Sequence, residues 1–366
     1  MKKVVSVLLA LMMALSIAAC ASTAGTEPTP PSGQSASPSG NASPSQTPDS
    51  TGPRTITDMA GKEVTIPATV NKIADAWFAH NEIAVMLGAD SKIVATAMNE
   101  KTYPWLYLVG PGLSNALSTF GTDFNLEELV QKSPDIVFCS TSDKNIEKLQ
   151  SMGIPVVQLM FTSFDEMRKC VTLTGDILGG DAVAKAAAYN DYLSGKLESI
   201  KAVTDKIAAA DRPKVLHVTS LSPLQVDGSD TIIDDWINVA GGVNAAASVK
   251  SNMQQVTMEQ VIAWNPDVII VGGNAGNSET LAKDPNWASI AAVQKGQVYQ
   301  NPAGAFLWDR YGAEEALQIQ WAAKTINPDL FKDLDIASEA KSFYKTFLNY
   351  DLTDDQVQKI LTAQKP

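Results

Sequence analysis

Arginine is rare in this chain, and one arginine stands among aromatic residues. Arg occurs at only four of the 366 positions. Arg310 has three aromatic neighbours within four residues: Phe306, Trp308 and Tyr311. A guanidinium can form paired hydrogen bonds with an anionic group, so the pattern predicts a ligand contact at Arg310. The alternative is a structural ion pair with Asp309 or Glu314.

Histidine and cysteine are too sparse for most metal sites. His80 and His217 are the only histidines, so a bare Zn or Mn site of the several-histidine kind is not expected. Beyond the N-terminal segment, Cys139 lies in an apolar run and Cys170 in a helical pattern. We expect two buried thiols there rather than a disulfide or a metal pair. The sequence predicts no resident cofactor.

Signatures of common catalytic sites are missing from the sequence. It contains no Gly-x-Ser-x-Gly, His-Glu-x-x-His, phosphate loop or cysteine cluster. The glycine pairs at 241–242 and 272–273 lack the spacing of a dinucleotide site. We therefore do not expect an enzyme. The formal net charge of −12 argues against a nucleic-acid partner, because binding to phosphates needs a basic surface.

One stretch occurs twice and predicts the architecture that would position these residues. Residues 125–138 and 257–270 align without a gap at an offset of 132 residues. Each copy has a polar helix cap, a short amphipathic helix, a Pro-Asp pair and an apolar run suited to a strand buried on both faces. The offset is too long for a solenoid repeat, so it predicts two similar α/β lobes.

The N-terminal pattern predicts a targeting segment followed by a tether. Residues 1–20 contain two lysines, an apolar core of about 14 residues and a small-residue site that ends at Cys20. Residues 17–20 resemble a bacterial lipobox, which predicts lipidation of Cys20; the alternative is an ordinary secretory signal. Residues 21–53 are mostly Ser, Thr, Pro, Gly and Ala, so we expect a disordered tether.

The remaining pattern alternates short strands and helices, which favours mainly parallel sheets. We predict an N-terminal α/β lobe at residues 54–162, inter-lobe helices at 163–210, a C-terminal α/β lobe at 211–330 and C-terminal helices at 331–366 that pack on the second lobe. The first lobe should open with a small hairpin and contain a helix that starts at an Asn81 cap. The glycines at 179–180 should separate one helix from a long one that runs to residue 210 and joins the lobes.

The order of these segments resembles the iron-complex and cobalamin class of substrate-binding proteins of ABC importers. The matching segments are residues 57–67 (TDMAGKEVTIP), the two repeat copies, residues 240–244 (AGGVN) and residues 287–298. Residues 308–361, with FYKTF at 343–347, look like the branch that includes haem, metal-chelate and molybdate binders. Together they cover almost everything after residue 54.

This resemblance implies a fold and a docking role. The fold would be α/β, with two lobes that each hold a mainly parallel sheet flanked by helices, joined by one long backbone helix. A surface glutamate in each lobe would meet an arginine on a two-fold permease dimer. By alignment these are Glu127 and Glu259. The alternative is that both only favour a helix N-terminus through its dipole.

In such a fold the ligand lies where strand ends of both lobes face each other. That predicts contacts from the first lobe at Trp77, His80, Tyr103, Trp105, Thr141 and Ser142. From the second lobe it predicts contacts at Ser220, Asn274, Phe306, Trp308 and Arg310. The aromatic rings could stack on a flat chelate or macrocycle, or could serve plain core packing.

The function implied is that of an extracytoplasmic, lipid-anchored binding protein, monomeric, that captures an iron complex (a siderophore or haem-like chelate) and delivers it to an ABC import permease. Cobalamin or a molybdate- or tungstate-type oxyanion is the alternative cargo. A metal-cofactor enzyme outside the cytoplasm and a surface interaction module remain alternatives of other classes.

Overall fold

A computed structural model of the protein describes residues 52–120 and 125–366. The expected signal segment, Cys20 and the tether up to residue 51 lie outside the described residues. Among those described, no helix is long and apolar enough to cross a membrane.

The described chain opens with the expected hairpin. Strands β1 (Arg54–Thr57) and β2 (Glu63–Ile66) pair antiparallel. Asp58 closes the turn, since its Oδ1 accepts from the backbone N–H groups of Ala60 and Lys62 at 3.0 and 2.8 Å. Its Oδ2 accepts from the N–H of Gln158 at 3.2 Å, which fastens the hairpin to the first lobe.

The first lobe is built on a five-stranded parallel sheet with the order β5-β4-β3-β6-β7. Its strands are β3 (Ile73–Asp75), β4 (Ile93–Thr96), β5 (Leu117–Ser118), β6 (Ile136–Ser140) and β7 (Val156–Leu159). The helices around it are α1 (Phe78–Met86), α2 (Pro104–Val109), α3 (Leu126–Gln131), α4 (Ile146–Gln150) and α5 (Phe164–Leu178). The central strands are buried on both faces, as expected for a parallel sheet.

Helix α1 begins three residues earlier than the sequence suggested. Trp77 is its N-cap residue, and Asn81 lies inside the helix. The Asn81 side chain donates to the carbonyl oxygens of Trp77 and Asp75 at 2.9 and 3.3 Å. An asparagine bonded back to the preceding turn can occupy a helix interior, so the cap interpretation was wrong.

The two longest helices pack against each other. Helix α6 (Asp181–Thr204) follows α5 after Gly179 and Gly180, which have φ angles of 66° and 56°. Its 24 residues span about 36 Å. It ends six residues before the predicted boundary, and the Arg212 guanidinium donates to the carbonyl of its last residue, Thr204, at 3.1 Å.

The second lobe has a mixed six-stranded sheet of order β11-β9-β8-β12-β13, with β10 beside β8. Its strands are β8 (Lys214–Leu221), β9 (Leu224–Val226), β10 (Val243–Asn244), β11 (Gln254–Gln255), β12 (Val268–Val271) and β13 (Val298–Gln300). Its helices are α7 (Ile232–Val239), α8 (Met258–Trp264), α9 (Ser278–Lys283), α10 (Ala291–Gln294) and α11 (Glu315–Ile326). The pairs β8–β12, β12–β13 and β10–β8 are parallel, while β9 is antiparallel to β8 and β11.

The repeated stretch forms the same unit in both lobes. Ser133 and Asn265 end the short helices with φ angles of 49° and 44°. Asp135 and Asp267 then each receive a backbone N–H from the start of the neighbouring strand, at Lys72 (2.8 Å) and Lys214 (3.1 Å). The repeat therefore folds as the helix–Pro-Asp–strand unit that the sequence indicated, and it supplies one strand, β6 or β12, to the sheet of each lobe.

Helices α12 (Ile336–Phe347) and α13 (Asp354–Leu361) complete the chain. Thr353 and Gln356 form a capping box at the start of α13. The Lys196 ammonium pairs with Glu339 at 2.6 Å, which joins α12 to α6. The last residues of the chain also contact the first lobe.

Candidate functional site

A cavity of about 480 Å³ lies between the two lobes. The first lobe lines it with residues 101–105, and the second with residues 273–274, 303–304 and 306–307. The C-terminal residues 363–365 complete the wall. A larger cavity of about 940 Å³ adjoins it at Gly273 and Gln364, but residues of the second lobe and tail line it. Of these two cavities, only the smaller one has lining residues from both lobes.

Aromatic rings meet across this cavity. The Tyr103 ring of the first lobe stacks on Phe306 of the second, with 5.7 Å between centroids and 29° between planes. Phe78 lies 6.3 Å from Tyr103 and is 43% exposed. Trp105 also lines the cavity. Such rings give a flat ligand a surface on which to stack.

A second group of aromatic rings packs between the two lobes. Tyr311 of the second lobe lies 6.1 Å from Trp77 and 5.5 Å from Phe161 of the first. Tyr311 has a φ of 60°, and its hydroxyl oxygen lies 2.5 Å from the Asn252 side-chain nitrogen. Trp77 is thus an inter-lobe packing residue with 9% exposure.

Arg310 pairs with Asp227, 3.1 Å away, rather than with the Asp309 or Glu314 that the sequence suggested. Its side chain is 16% exposed. Burial raises the pKa of Tyr103, while the nearby positive charge of Arg310 lowers it. Arg310 therefore acts electrostatically on the aromatic loop of the opposite lobe. A guanidinium has five N–H donors, so the bond to Asp227 leaves capacity for a ligand.

A buried histidine holds the partner of Arg310. His217 Nδ1 lies 2.8 Å from Asp227 Oδ2, and Nε2 lies 2.8 Å from Asp309 Oδ2. Burial opposes a charge on His217, but the two carboxylates outweigh it and raise the pKa to about 9. Burial likewise opposes the charge of Asp227, yet His217 and Arg310 lower its pKa. His217 and Arg310 thus both bond to the same oxygen of Asp227, Oδ2.

Buried carboxyls join the lobes next to this network. Glu82 of α1 accepts from the backbone N–H of Ala313, at the start of α11, at 2.8 Å. Glu314 accepts from the Trp308 indole at 2.8 Å and the Tyr344 hydroxyl at 2.6 Å. Burial raises the pKa of Glu314 to about 7, and burial together with the charge of Glu314 raises that of Glu82 well above its usual range.

The tail crosses from the second lobe to the first at the mouth of the cavity. The Trp105 indole donates to the Gln364 carbonyl at 2.8 Å, and the Lys365 ammonium donates to the Lys101 carbonyl at 2.6 Å. Trp105 therefore contacts the tail directly. The sequence placed the tail on the second lobe only, and nothing local in residues 363–366 indicates this additional contact.

Four of the predicted ligand residues line the cavity: Tyr103, Trp105, Asn274 and Phe306. Arg310 and Trp77 are not among its described lining residues, but the charge of Arg310 acts on Tyr103. Thr141, Ser142 and Ser220 follow or end strands at the same sheet edges, but are not among the described residues that line it.

His80 and Trp308 are fully buried. His80 is held between Asp75 (2.7 Å) and Thr174 (2.9 Å), and Trp308 is held by Glu314. Both side chains therefore complete the core beside the cleft and offer a ligand no surface, which corrects their predicted role. Trp308 therefore serves core packing, which was the alternative role that the sequence allowed for these aromatic residues.

Sequence reasoning missed Asp227 and Tyr311. Asp227 directly follows the hairpin strand β9 and carries no local pattern; only the fold brings it to Arg310, 83 residues along the chain. The sequence showed Tyr311 as an aromatic neighbour of Arg310, but it gave no indication that Tyr311 itself contacts the opposite lobe.

Cys139 and Cys170 are buried free thiols, as predicted. Burial raises the pKa of Cys139 to about 12, which makes it unreactive at neutral pH. Within residues 52–120 and 125–366, no three His, Cys, Asp or Glu side chains are grouped to hold a metal ion.

Both glutamates proposed for docking are exposed at the second position of their helices. Asn125 caps α3 and Thr257 caps α8, so each glutamate also favours its helix dipole. Exposure allows docking without demonstrating it.

Comparison with known proteins agrees with this architecture. The chain matches the model of a family described as periplasmic binding protein over residues 79–305. The molybdate-binding protein MolA of Haemophilus influenzae is 27% identical over 336 residues, which cover 84% of this chain and 94% of the relative. The Fe(3+)-citrate-binding protein YfmC of Bacillus subtilis is 25% identical over 214 residues, or 56% of this chain and 64% of the relative. The crystal structure of a periplasmic solute binding protein from Veillonella parvula superposes with a TM-score of 0.72 at 29% identity, covering 84% of this chain and 97% of that one.

Proposed function

Because this chain belongs to the periplasmic binding protein family, we propose that it captures an anionic iron complex between its two lobes and hands it to an ABC import permease. The coarser role, solute binding for import, follows from the family. The cargo, the lipid anchor at Cys20, the monomeric state and the two-fold permease are parts of the proposal. Nothing in the proposal requires catalysis.

The inter-lobe cavity carries the choice of cargo. Its volume of about 480 Å³ lies in the range of sites for drug-sized ligands, about 300 to 1,000 Å³. Aromatic side chains and two lysines line it, at Lys101, Tyr103, Trp105, Phe306 and Lys365. Rings favour stacking on a chelate, and the lysines together with Arg310 favour a negative charge.

A molybdate-type oxyanion is the second candidate. The relative named for molybdate matches along 84% of this chain, which favours a shared cargo. A small oxyanion needs a compact set of N–H and O–H donors rather than aromatic walls. In this chain such a site would centre on Arg310 and its neighbourhood, with Tyr103 as a hydroxyl donor.

Tryptophan fluorescence can distinguish these cargoes. Trp105 lines the cavity and should report occupancy. We would titrate the purified protein with a ferric siderophore, haem, cobalamin and molybdate, and repeat each titration with Trp105→Phe as control. The proposal expects saturable quenching by a ferric chelate, and a smaller signal from the same titration of the Phe variant.

Two outcomes would change the assignment. Saturation by molybdate alone would replace the iron complex by the oxyanion while the transport role stands. No response to any of the four probes, with calorimetry also silent, would count against a ligand site in this cleft.

A further inference from the structure

The two short repeat helices present the same surface in both lobes. From residue 125 to 139 and from 257 to 271, every position has the same degree of burial as its counterpart 132 residues away. One of the shared features is an exposed large apolar side chain. Val130 is 45% exposed, and its counterpart Ile262 is 46% exposed.

Each apolar side chain lies on the same helix face as a docking glutamate. Glu127 and Val130 are three residues apart on α3, as are Glu259 and Ile262 on α8. Residues at this spacing are neighbours on a helix surface, about 5 to 6 Å apart at Cβ. The neighbouring Leu129 and Val261 are fully buried and hold the helices to their lobes. We define the docking surface as four side chains: Glu127, Val130, Glu259 and Ile262.

Packing within the lobes does not account for Val130 and Ile262. Their neighbours in the helix already supply the core contact, and β-branched residues are weaker helix formers than Leu, Lys or Glu. A single exposed apolar residue on a protein needs no explanation. Here the exposure recurs at one register in two lobes whose repeat sequences otherwise differ at most positions.

We propose that Val130 and Ile262 are apolar anchors of the docking surface, each seated in an apolar pocket of one permease half beside the cation that meets Glu127 or Glu259. This rests on the permease-binding role proposed above. Two equivalent patches of one acidic and one apolar side chain fit a partner that presents one surface twice. The carboxylates steer the encounter, and the buried apolar contacts slow dissociation.

Photo-crosslinking tests the contact directly. A photoreactive amino acid would be placed, one position at a time, at 130 and 262 in the full chain and activated on native membranes. Positions 183 and 330 are matched controls, because Val183 and Leu330 are 45% and 51% exposed. We expect adducts with peptides of a multi-span ABC permease at 130 and 262 and none at the two control positions. Equal adducts at all four positions, or no permease adduct at 130 and 262, would overturn the proposal.

Binding to the permease identified in this way then separates the two contributions. The double variant Val130→Ser/Ile262→Ser should bind about tenfold or more weakly, and the loss should persist in high salt. Glu127→Ala/Glu259→Ala should lose affinity mainly in low salt, where charge attraction is strongest. Val183→Ser/Leu330→Ser should bind normally, and all variants should keep the ligand affinity of the wild type.

The outcomes distinguish this inference from the proposed function. If only the glutamate pair weakens binding, docking stands and the apolar anchors are refuted. If neither pair has an effect, the permease contacts another surface and both ideas fail. If the serine pair loses ligand affinity instead, the two side chains are structural and the inference is wrong.

Discussion

At the scale of single residues, Arg310, whose charge acts on Tyr103 of the opposite lobe, is held in place by buried partners. Arg310 is paired with Asp227, and Asp227 is paired with His217. Such a chain of charged hydrogen bonds fixes the position of the guanidinium before a ligand arrives, which lowers the ordering cost of binding.

Replacement of Arg310 tests its role as a ligand contact. Arg310→Ala should weaken an anionic ligand by about 1 to 3 kcal/mol, the range for a lost charged hydrogen bond. Fluorescence titration with the probe that saturates the wild-type protein measures the change. Arg168→Ala is the control, because Arg168 pairs with Asp165 at the surface and should leave affinity unchanged. Equal affinity of Arg310→Ala and wild type would remove Arg310 from the site.

His217 should make stability depend on pH. Its pKa rises from 6.5 to about 9 on folding, so its contribution is complete below pH 6.5 and is lost as the pH rises through 9. The difference corresponds to about 3 kcal/mol. Urea unfolding at pH 6.5 and 9 should show a larger decline for wild type than for His217→Gln. Parallel declines would mean that the histidine is neutral in the folded protein.

At the scale of elements, helix packing decides what each glycine in α5 and α6 does. A Cβ at Gly175 would lie 2.7 Å from the Ala186 Cβ and 3.0 Å from the Ala182 carbonyl oxygen, whereas a Cβ at Gly195 would meet nothing within 4 Å. Gly175 thus permits the close approach of the two long helices. Gly195 has no such role.

These two glycines form a matched pair for mutation. Gly175→Ala should lower the free energy of unfolding by about 1 to 3 kcal/mol through overpacking. Gly195→Ala should raise it by about 0.5 to 1 kcal/mol, because alanine favours a helix more than glycine does. Urea unfolding at pH 7 measures both. Similar changes in the two variants would contradict the close packing of α5 and α6.

At the scale of the whole molecule, buried polar groups connect the lobes beside the joining helix. Glu82 from the first lobe binds the start of α11 in the second, and the Tyr189 hydroxyl of α6 donates to the Ala313 carbonyl at 2.8 Å. A mostly apolar interface with these bonds favours one arrangement of the lobes over a freely hinged pair. Ligand capture would then change the cleft chiefly through its loops and tail.

The protonation of Glu82 should link this interface to pH. Burial raises its pKa well above 4.5, so the folded state binds a proton more tightly than the unfolded one. Stability from this group is complete below pH 4.5 and is lost as the pH rises toward the folded pKa. Glu82→Gln imitates the protonated form, so its stability relative to wild type should increase between pH 4.5 and 8 in urea unfolding. A difference that does not vary with pH would show that Glu82 is ionised throughout.

The sequence alone determined the architecture. The 132-residue repeat, the continuous apolar runs and the glycine pair at 179–180 are local signals, because strand burial and helix ends depend on residues close together in the chain. These signals predicted two α/β lobes and the helix that joins them. Helix boundaries were less secure, because α1 begins at Phe78, before Asn81, and α6 ends at Thr204 rather than at residue 210.

Tertiary structure decided which side chains come together from distant parts of the chain. Asp227, Arg310 and the tail residue Gln364 lie far apart in sequence, and no periodicity connects them. Burial also depends on neighbours contributed by distant elements, so of two residues only two positions apart, Trp308 is fully buried while Arg310 is 16% exposed and pairs with Asp227. Spacing can tell that an arginine stands among aromatic rings, but only the packed lobes decide which of those rings a ligand can reach.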